Sequence, residues 1–370
     1  MLLVKKILVF CIIPFIFTSC DVHNKKPFFS GVWGYYDGPI EVQKSNNSKN
    51  TKLYKKDKNI NKKPGIKTAK NLQKTQNIKK DIPKTIIIAG SKPHSTKYNI
   101  AGTICSYLNQ VKTLNIRCLV EPTESVQYSM QHSSKYDFII SQANIDRQYL
   151  SQKTGLRSMF SLYPEVLTLI TSKTSNIKAV SDLKGKKVFL RRGHNSSRIA
   201  FKKILQSANL TLADIQIVSG LNMGHALCDG TIDAIFTDIN HPNTDIDEFI
   251  KICDANIMEF SGKYFTNLIK THHEYINGII PHEYYGDKYK KDIQSFAIMT
   301  NLIATSKVDD ELAYKITATI FNNINKFKFM DPILLDVPKN DMTLMNSGLI
   351  LPIHSGAEKY YTENNIKHTK

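Results

Sequence analysis

Residues able to hold an anion cluster in the run from Lys186 to Leu205, which reads KKVFLRRGHNSSRIAFKKIL. Here the hydroxyls of Ser196 and Ser197 and the guanidinium of Arg198 follow directly on Gly193, His194 and Asn195. Val188, Phe189 and Leu190 predict a short buried strand, and residues 193–197 are turn chemistry with Ser196 as the helix N-cap. From Ser197 the apolar residues Ile199, Ala200, Ile204, Leu205 and Ala208 recur at helical spacing. A strand that turns through glycine and serine into a helix aims unpaired backbone N–H groups at one spot. The helix dipole favours negative charge there, so the chemistry expected is capture of a carboxylate by amides, two hydroxyls and Arg198. The same residues also fit an ordinary turn whose serines only cap the helix, with Arg198 solvated.

The elements that must position this turn begin well inside the chain. Lys5 and Lys6 precede an apolar run, residues 7–17, that is short for a membrane span and ends in Phe17-Thr18-Ser19-Cys20. This is the pattern of a secretory signal (residues 1–19), and it resembles a bacterial lipobox in which Cys20 carries the lipid. Several acyl chains on one cysteine anchor stably where a single chain is marginal. Asp21 behind the cysteine favours the inner membrane over the outer. A plain cleaved signal is the alternative.

The formal charge of +18 invites a nucleic-acid reading until it is mapped. Residues 21–83 carry fifteen lysines against five acids and the leader adds two lysines, so only six positive charges in excess fall to residues 84–370. The basic excess therefore belongs to a Lys/Asn-rich segment, residues 20–83, too poor in apolar side chains to fold, and no nucleic-acid partner is expected. Within it an aromatic island, residues 27–36, holds the only tryptophan, Trp33. Either it docks on a body, partner or bilayer, or it is a local cluster without consequence.

Besides Cys11 and Cys20 the chain has Cys105, Cys118, Cys228 and Cys253. An even number in an exported domain predicts disulfides, and their order predicts Cys105 with Cys118 and Cys228 with Cys253, out of three connectivities. No C-x-x-C or H-E-x-x-H spacing points to a metal, His272 and His273 read as surface residues, and no cofactor is expected.

Along the folded part, strands are predicted at 85–89, 116–120, 137–141, 160–171, 188–190 and 233–237, with apolar strand character again at 296–305. Helices are predicted at 98–111, 125–132, from 197, and at 312–327. Strands alternating with helices imply parallel βαβ units.

The order of motifs resembles the TAXI group of solute receptors, the substrate-binding subunits of tripartite ATP-independent periplasmic (TRAP) transporters. The resemblance spans residues 85–361 and is carried by Phe160-Ser161-Leu162-Tyr163-Pro164-Glu165, Asp182-Leu183-Lys184-Gly185-Lys186 and Ala226-Leu227-Cys228-Asp229-Gly230-Thr231-Ile232-Asp233-Ala234. His241-Pro242-Asn243 and the run 352–361, PIHSGAEKYY, complete it. It implies an α/β, two-lobed type II periplasmic-binding-protein fold with a ligand cleft between the lobes. Residues 84–174 plus 278–361 form lobe I, 175–277 lobe II, and 362–370 a tail. It implies as ligand a small organic acid, glutamate or a related dicarboxylate, delivered to a TRAP membrane subunit.

Residue by residue, the resemblance places ligand contacts at Asn195, Ser196, Ser197 and Arg198, at Tyr163, at Gln142 after the third strand, and at Asn240 and His241. Ser95, Thr96 and Tyr98 join them from the first loop, Gly90 to Tyr98. Where the family has a glycine-rich run, this loop carries Lys92, Pro93, His94 and Lys97, which implies an altered cleft. Tyr163 also fits a core tyrosine, and His241 a residue that only punctuates a turn. An enzyme is not expected, since G-x-x-x-x-G-K and G-x-S-x-G are both missing from the sequence. A surface interaction lipoprotein on the same fold, without transport, is the alternative function.

Overall fold

The computed structural model describes residues 82–368 apart from positions 153, 221 and 336. The signal run, Cys20, the lysine-rich segment and its aromatic island lie outside the described residues.

The first half opens with β1 (Lys84–Ala89), α1 (Thr96–Gln110), β2 (Ile116–Glu121), α2 (Val126–Gln131), β3 (Phe138–Gln142) and α3 (Ala143–Tyr149). A long strand, β4 (Arg157–Thr171), leads to β5 (Lys187–Phe189), α4 (Asn195–Gln206), β6 (Gln216–Val218), α5 (Met223–Cys228) and β7 (Ala234–Ile239). Then come α6 (Thr244–Cys253), β8 (Asn256–Ile257), α7 (Lys263–Thr271), β9 (Ile276–Ile280) and the second long strand, β10 (Ile293–Ala304). Helices α8 (Asp310–Asn322), α9 (Ile324–Lys328) and α10 (Ser355–Glu363) finish the chain.

One sheet runs β2-β1-β3-β10-β4-β7-β5-β6. The triplets β2-β1-β3 and β6-β5-β7 are parallel and share one winding order. Between them β10 and β4 run antiparallel to each other and to the triplet strand each one meets. Two βαβαβ units joined by two crossing strands are the two-lobed type II periplasmic-binding-protein fold, with a cleft between the lobes. The crossing strands are covered on both faces, so β4 is exposed only at its first residue, and both read as long apolar runs.

Each lobe has helices on both faces of its sheet. In the first, Ile100, Ile104 and Leu108 of α1 and Ile316 and Ile320 of α8 close one core, while Val126, Met130, Ile145 and Tyr149 close the other. In the second, Ala200, Phe201 and Ile204 of α4 pack on Val188 and Phe236, opposite a core of Leu227, Ile246 and Phe249. Cys105 is bonded to Cys118, tying α1 to β2, and Cys228 to Cys253, tying α5 to α6. Closing loops of this length is worth about 3 kcal/mol per bridge.

Several boundaries differ from those expected. The strand expected at 233–237 runs on to Ile239, and the one at 160–171 starts at Arg157. The helix expected over 312–327 starts at Asp310, where Asp309 accepts from Leu312 N at 2.7 Å, and breaks at Asn323, whose φ of −129° leaves the helical region. Helix α4 begins at Asn195 with His194 at the N-cap position, so Ser196 is not the cap. Helices α3, α6, α7 and α10 run for only seven to ten residues each, too short a window for the apolar period to stand out in the sequence.

Helix α10 crosses α8 at a glycine. A methyl placed on Gly356 lies 2.1 Å from Asp310 O and 2.9 Å from Ala313 Cβ. Gly356→Ala is therefore expected to cost about 2–3 kcal/mol, measured by chemical denaturation, because helix backbone rather than a movable side chain stands in the way.

Candidate functional site

Register brings one row of polar side chains to the waist of the sheet. Thr300 of β10 lies opposite Gln142 on one side and Tyr163 on the other. Along β4 the two-residue alternation puts Tyr163, Glu165 and Leu167 on one face, and Leu167 lies opposite Asp238 of β7. Two helix starts reach the same row, α1 with Lys97 and α4 with Ser197.

The contacts form one network. Lys97 Nζ donates to both oxygens of Glu165, at 2.8 and 3.1 Å, in a pair whose side chains are only 13% and 6% exposed. Gln142 Nε2 donates to Glu165 Oε2 and, at 2.9 Å, to Asp238 Oδ2. Both partners are carboxylates, which fixes the amide's orientation. Ser197 Oγ donates to the other oxygen of Asp238. Burial pushes the Glu165 carboxyl up; Lys97 pulls it back and Asp238 pushes it further. A carboxylate so enclosed needs its lysine: removing one partner of a buried pair costs about 3–5 kcal/mol.

The network joins the lobes, because Gln142 ends a strand of the first and Asp238 lies near the end of a strand of the second. Two further contacts do the same. Asn144 Nδ2 donates to Ser196 O and Ser196 Oγ donates back to Asn144 Oδ1, each at 3.0 Å. Asn195 Nδ2 donates to Gln127 Oε1. Behind them Asp146 is wholly buried, accepting from Ser141 Oγ at 2.5 Å and Asn301 Nδ2 at 3.0 Å, and burial pushes its carboxyl up to about 7.

Of the residues expected from sequence, Gln142, Asn195, Ser196 and Ser197 meet at the lobe junction. Ser197, expected to cradle a ligand carboxylate, holds the chain's own Asp238. Ser95 caps α1, accepting from Tyr98 N and donating to Lys92 O at 2.7 Å, so its hydroxyl is spent on the turn. Thr96 opens α1, and Tyr98 packs against Gly90, where an added methyl lies 2.9 Å from Tyr98 Cα. Ser91 and His94 hold left-handed φ values of 67° and 61°, so this glycine-poor loop keeps backbone turns that glycine favours. Tyr163 is wholly enclosed in the first lobe's core. Arg198 is exposed and takes no part in the network.

Asn240 and His241 brace the junction from below. Asn240 Nδ2 donates to Pro164 O at 2.5 Å, while His241 Nε2 lies 2.9 Å from Thr168 Oγ1 and Nδ1 lies 2.5 Å from Tyr285 OH.

Sequence reasoning missed Lys97, Asn144, Glu165, Asp238 and Thr300 as site residues. Glu165 was findable: a charge inside an apolar strand run is worth explaining. Asp238 was hidden because the strand expected at 233–237 stops short of it, whereas β7 runs on to Ile239. Among the described residues no three His, Cys, Asp or Glu side chains are placed to hold a metal, and no helix is long and apolar enough to cross a membrane.

Comparison with known proteins gives a match of residues 88–364 to the NMT1-like family. Similar solved structures include a periplasmic sulfonate-binding protein of Methylobacillus flagellatus, 17% identical over 78% of this chain and 89% of that one, TM-score 0.45. An aliphatic sulphonate-binding protein of Escherichia coli is 12% identical over 77% and 89%, TM-score 0.42. An ancestral arginine-binding protein bound to arginine is 16% identical over 69% and 99%, TM-score 0.41.

Burial pushes the His241 imidazole down to about 4, against about 6.5 in an unfolded chain. Between these values the unfolded state binds more protons, so the stability His241 contributes is whole above pH 6.5 and is lost as pH falls toward 4. The advantage of wild type over His241→Gln is expected to shrink by about 3 kcal/mol across that window, measured by urea unfolding at stepped pH.

Proposed function

The chain belongs to the NMT1-like family, and on that premise we propose that it is an extracytoplasmic solute receptor of the TAXI type. It captures a small organic acid between its lobes and delivers it to the membrane subunit of a TRAP transporter. The observation that carries this reading is the row of polar side chains across the waist, Gln142, Thr300, Tyr163, Glu165 and Asp238, with Gln142 bridging the two carboxylates. It lies outside the carboxyl ends of the strands of both parallel units, where an open α/β sheet binds its ligands. The starts of α1 and α4 face the same place and favour a negatively charged group.

The anchor is a lipid on Cys20, which holds the receptor at the membrane, the inner rather than the outer one. Confinement of this kind raises the effective concentration of receptor at its transporter. The reading is binding without turnover.

Native mass spectrometry of the protein purified without added ligand tests this directly. A co-purifying small acid is expected, rebinding after stripping with a Kd of about 1 μM or tighter, near −8 kcal/mol. Failure to bind any of a broad panel of organic acids after stripping contradicts the receptor reading. It also favours the surface interaction lipoprotein, whose lobes the direct Gln142–Asp238, Asn144–Ser196 and Asn195–Gln127 contacts already hold together.

A further inference from the structure

The two disulfides stand in opposite surroundings. Cys105 and Cys118 are 5% and 3% exposed, inside the first lobe's core. Asn109 also closes the backbone there, its Nδ2 donating to Cys118 O at 3.0 Å and its Oδ1 accepting from Cys118 N at 2.8 Å. A thiol reaches this bridge only by opening the core. The other bridge lies at the surface: Cys228 is exposed and Cys253 half-buried, as the last residues of α5 and α6. Neither helix needs it to stay in place, because Ala226 and Leu227 of α5 share one core with Ile246, Phe249 and Ile250 of α6.

The charges beside the exposed bridge differ from one sulfur to the other. Cys228 has the negative end of α5 and Asp229 next to it, answered by His225 at 3.1 Å. Asp254, next to Cys253, is met by two lysines, Lys173 at 3.1 Å and Lys288 at 2.5 Å. A thiolate is therefore better tolerated at Cys253, while Cys228 is the sulfur open to attack.

We infer that Cys228–Cys253 is a thiol–disulfide exchange site, opened by a dithiol in the folded protein, and that Cys105–Cys118 is closed to the same reagent. The attacking thiolate bonds to Cys228 Sγ, the bond between the two Sγ atoms breaks, and Cys253 leaves as the thiolate and takes up a proton. The second thiol of the reagent, as thiolate, then attacks the reagent sulfur of the mixed disulfide and releases Cys228, which is protonated in turn. The dithiol is oxidised to its disulfide, and the protein gains two electrons and two protons. The site lies at the far end of α6 from His241 and Asn243, so it stands apart from the cleft and does not rest on the receptor reading.

The test is timed reduction of the full-length mature protein without denaturant, by dithiothreitol or by thioredoxin. Iodoacetamide traps the free thiols and peptide mass mapping reads which cysteines carry the label. Cys228 and Cys253 are expected to be labelled roughly tenfold faster than Cys105 and Cys118, or more, with the circular dichroism spectrum unchanged. Either dithiol acting this way supports the inference, and the faster one at equal concentration tells whether the reductant is a protein or a small molecule. Equal rates for the two bridges, label first on Cys105 and Cys118, or no label at Cys228 until denaturant is added overturns it. Glutathione, a single thiol, stops at the first step: its adduct is expected on Cys228 with the label on Cys253, and the reverse overturns the order of attack.

Discussion

A single amide holds two carboxylates apart at the centre of this protein. Gln142 donates to Glu165 and to Asp238, and without it two acids of the same sign face each other in a place largely closed to water. Lys97 answers one of them and Ser197 the other. The lobes meet where these groups meet, so the closed arrangement depends on donors being supplied to acids from both sides. Asn144 with Ser196, and Asn195 with Gln127, add neutral contacts whose geometry is available only when the lobes are together.

The sheet makes this possible because it is continuous. Strands β4 and β10 pass from one lobe into the other, β4 carrying Tyr163 and Glu165 of the row and β10 carrying Thr300. The register between them shifts between Thr300 and Asn301, next to Pro164 and Tyr163. An irregularity there suits a proline, which has no N–H to give the ladder, and lets the strands change direction between lobes. The parallel units on either side then aim the ends of β3 and β7 and the starts of α1 and α4 inward.

How much of this was legible in the sequence depended on period and length. The strands of the first lobe, with helices α1 and α4, stood out because their apolar residues recur at 2 or 3.6. The two disulfides were legible from cysteine order, since each bridges residues near in the chain. The turn at Gly193–Ser197 was legible from its residues, and in the structure the Ser197 hydroxyl meets Asp238. That contact was not legible, because Asp238 reaches Ser197 only through β7, 41 residues on, and nothing local announces it. Arg198 has chemistry that suits an anion, while helical phase turns it to solvent.

The central claim, that the Gln142 bridge keeps the lobes closed over two acids, is tested most directly by the distance between them. Spin labels at exposed positions 124 and 225, one in each lobe, report that separation by pulsed dipolar spectroscopy in the stripped protein. With Gln142 intact one short, narrow distance is expected; in Gln142→Ala, where Glu165 and Asp238 lose their shared donor, a longer and broader one. The same distance in both proteins would contradict the account.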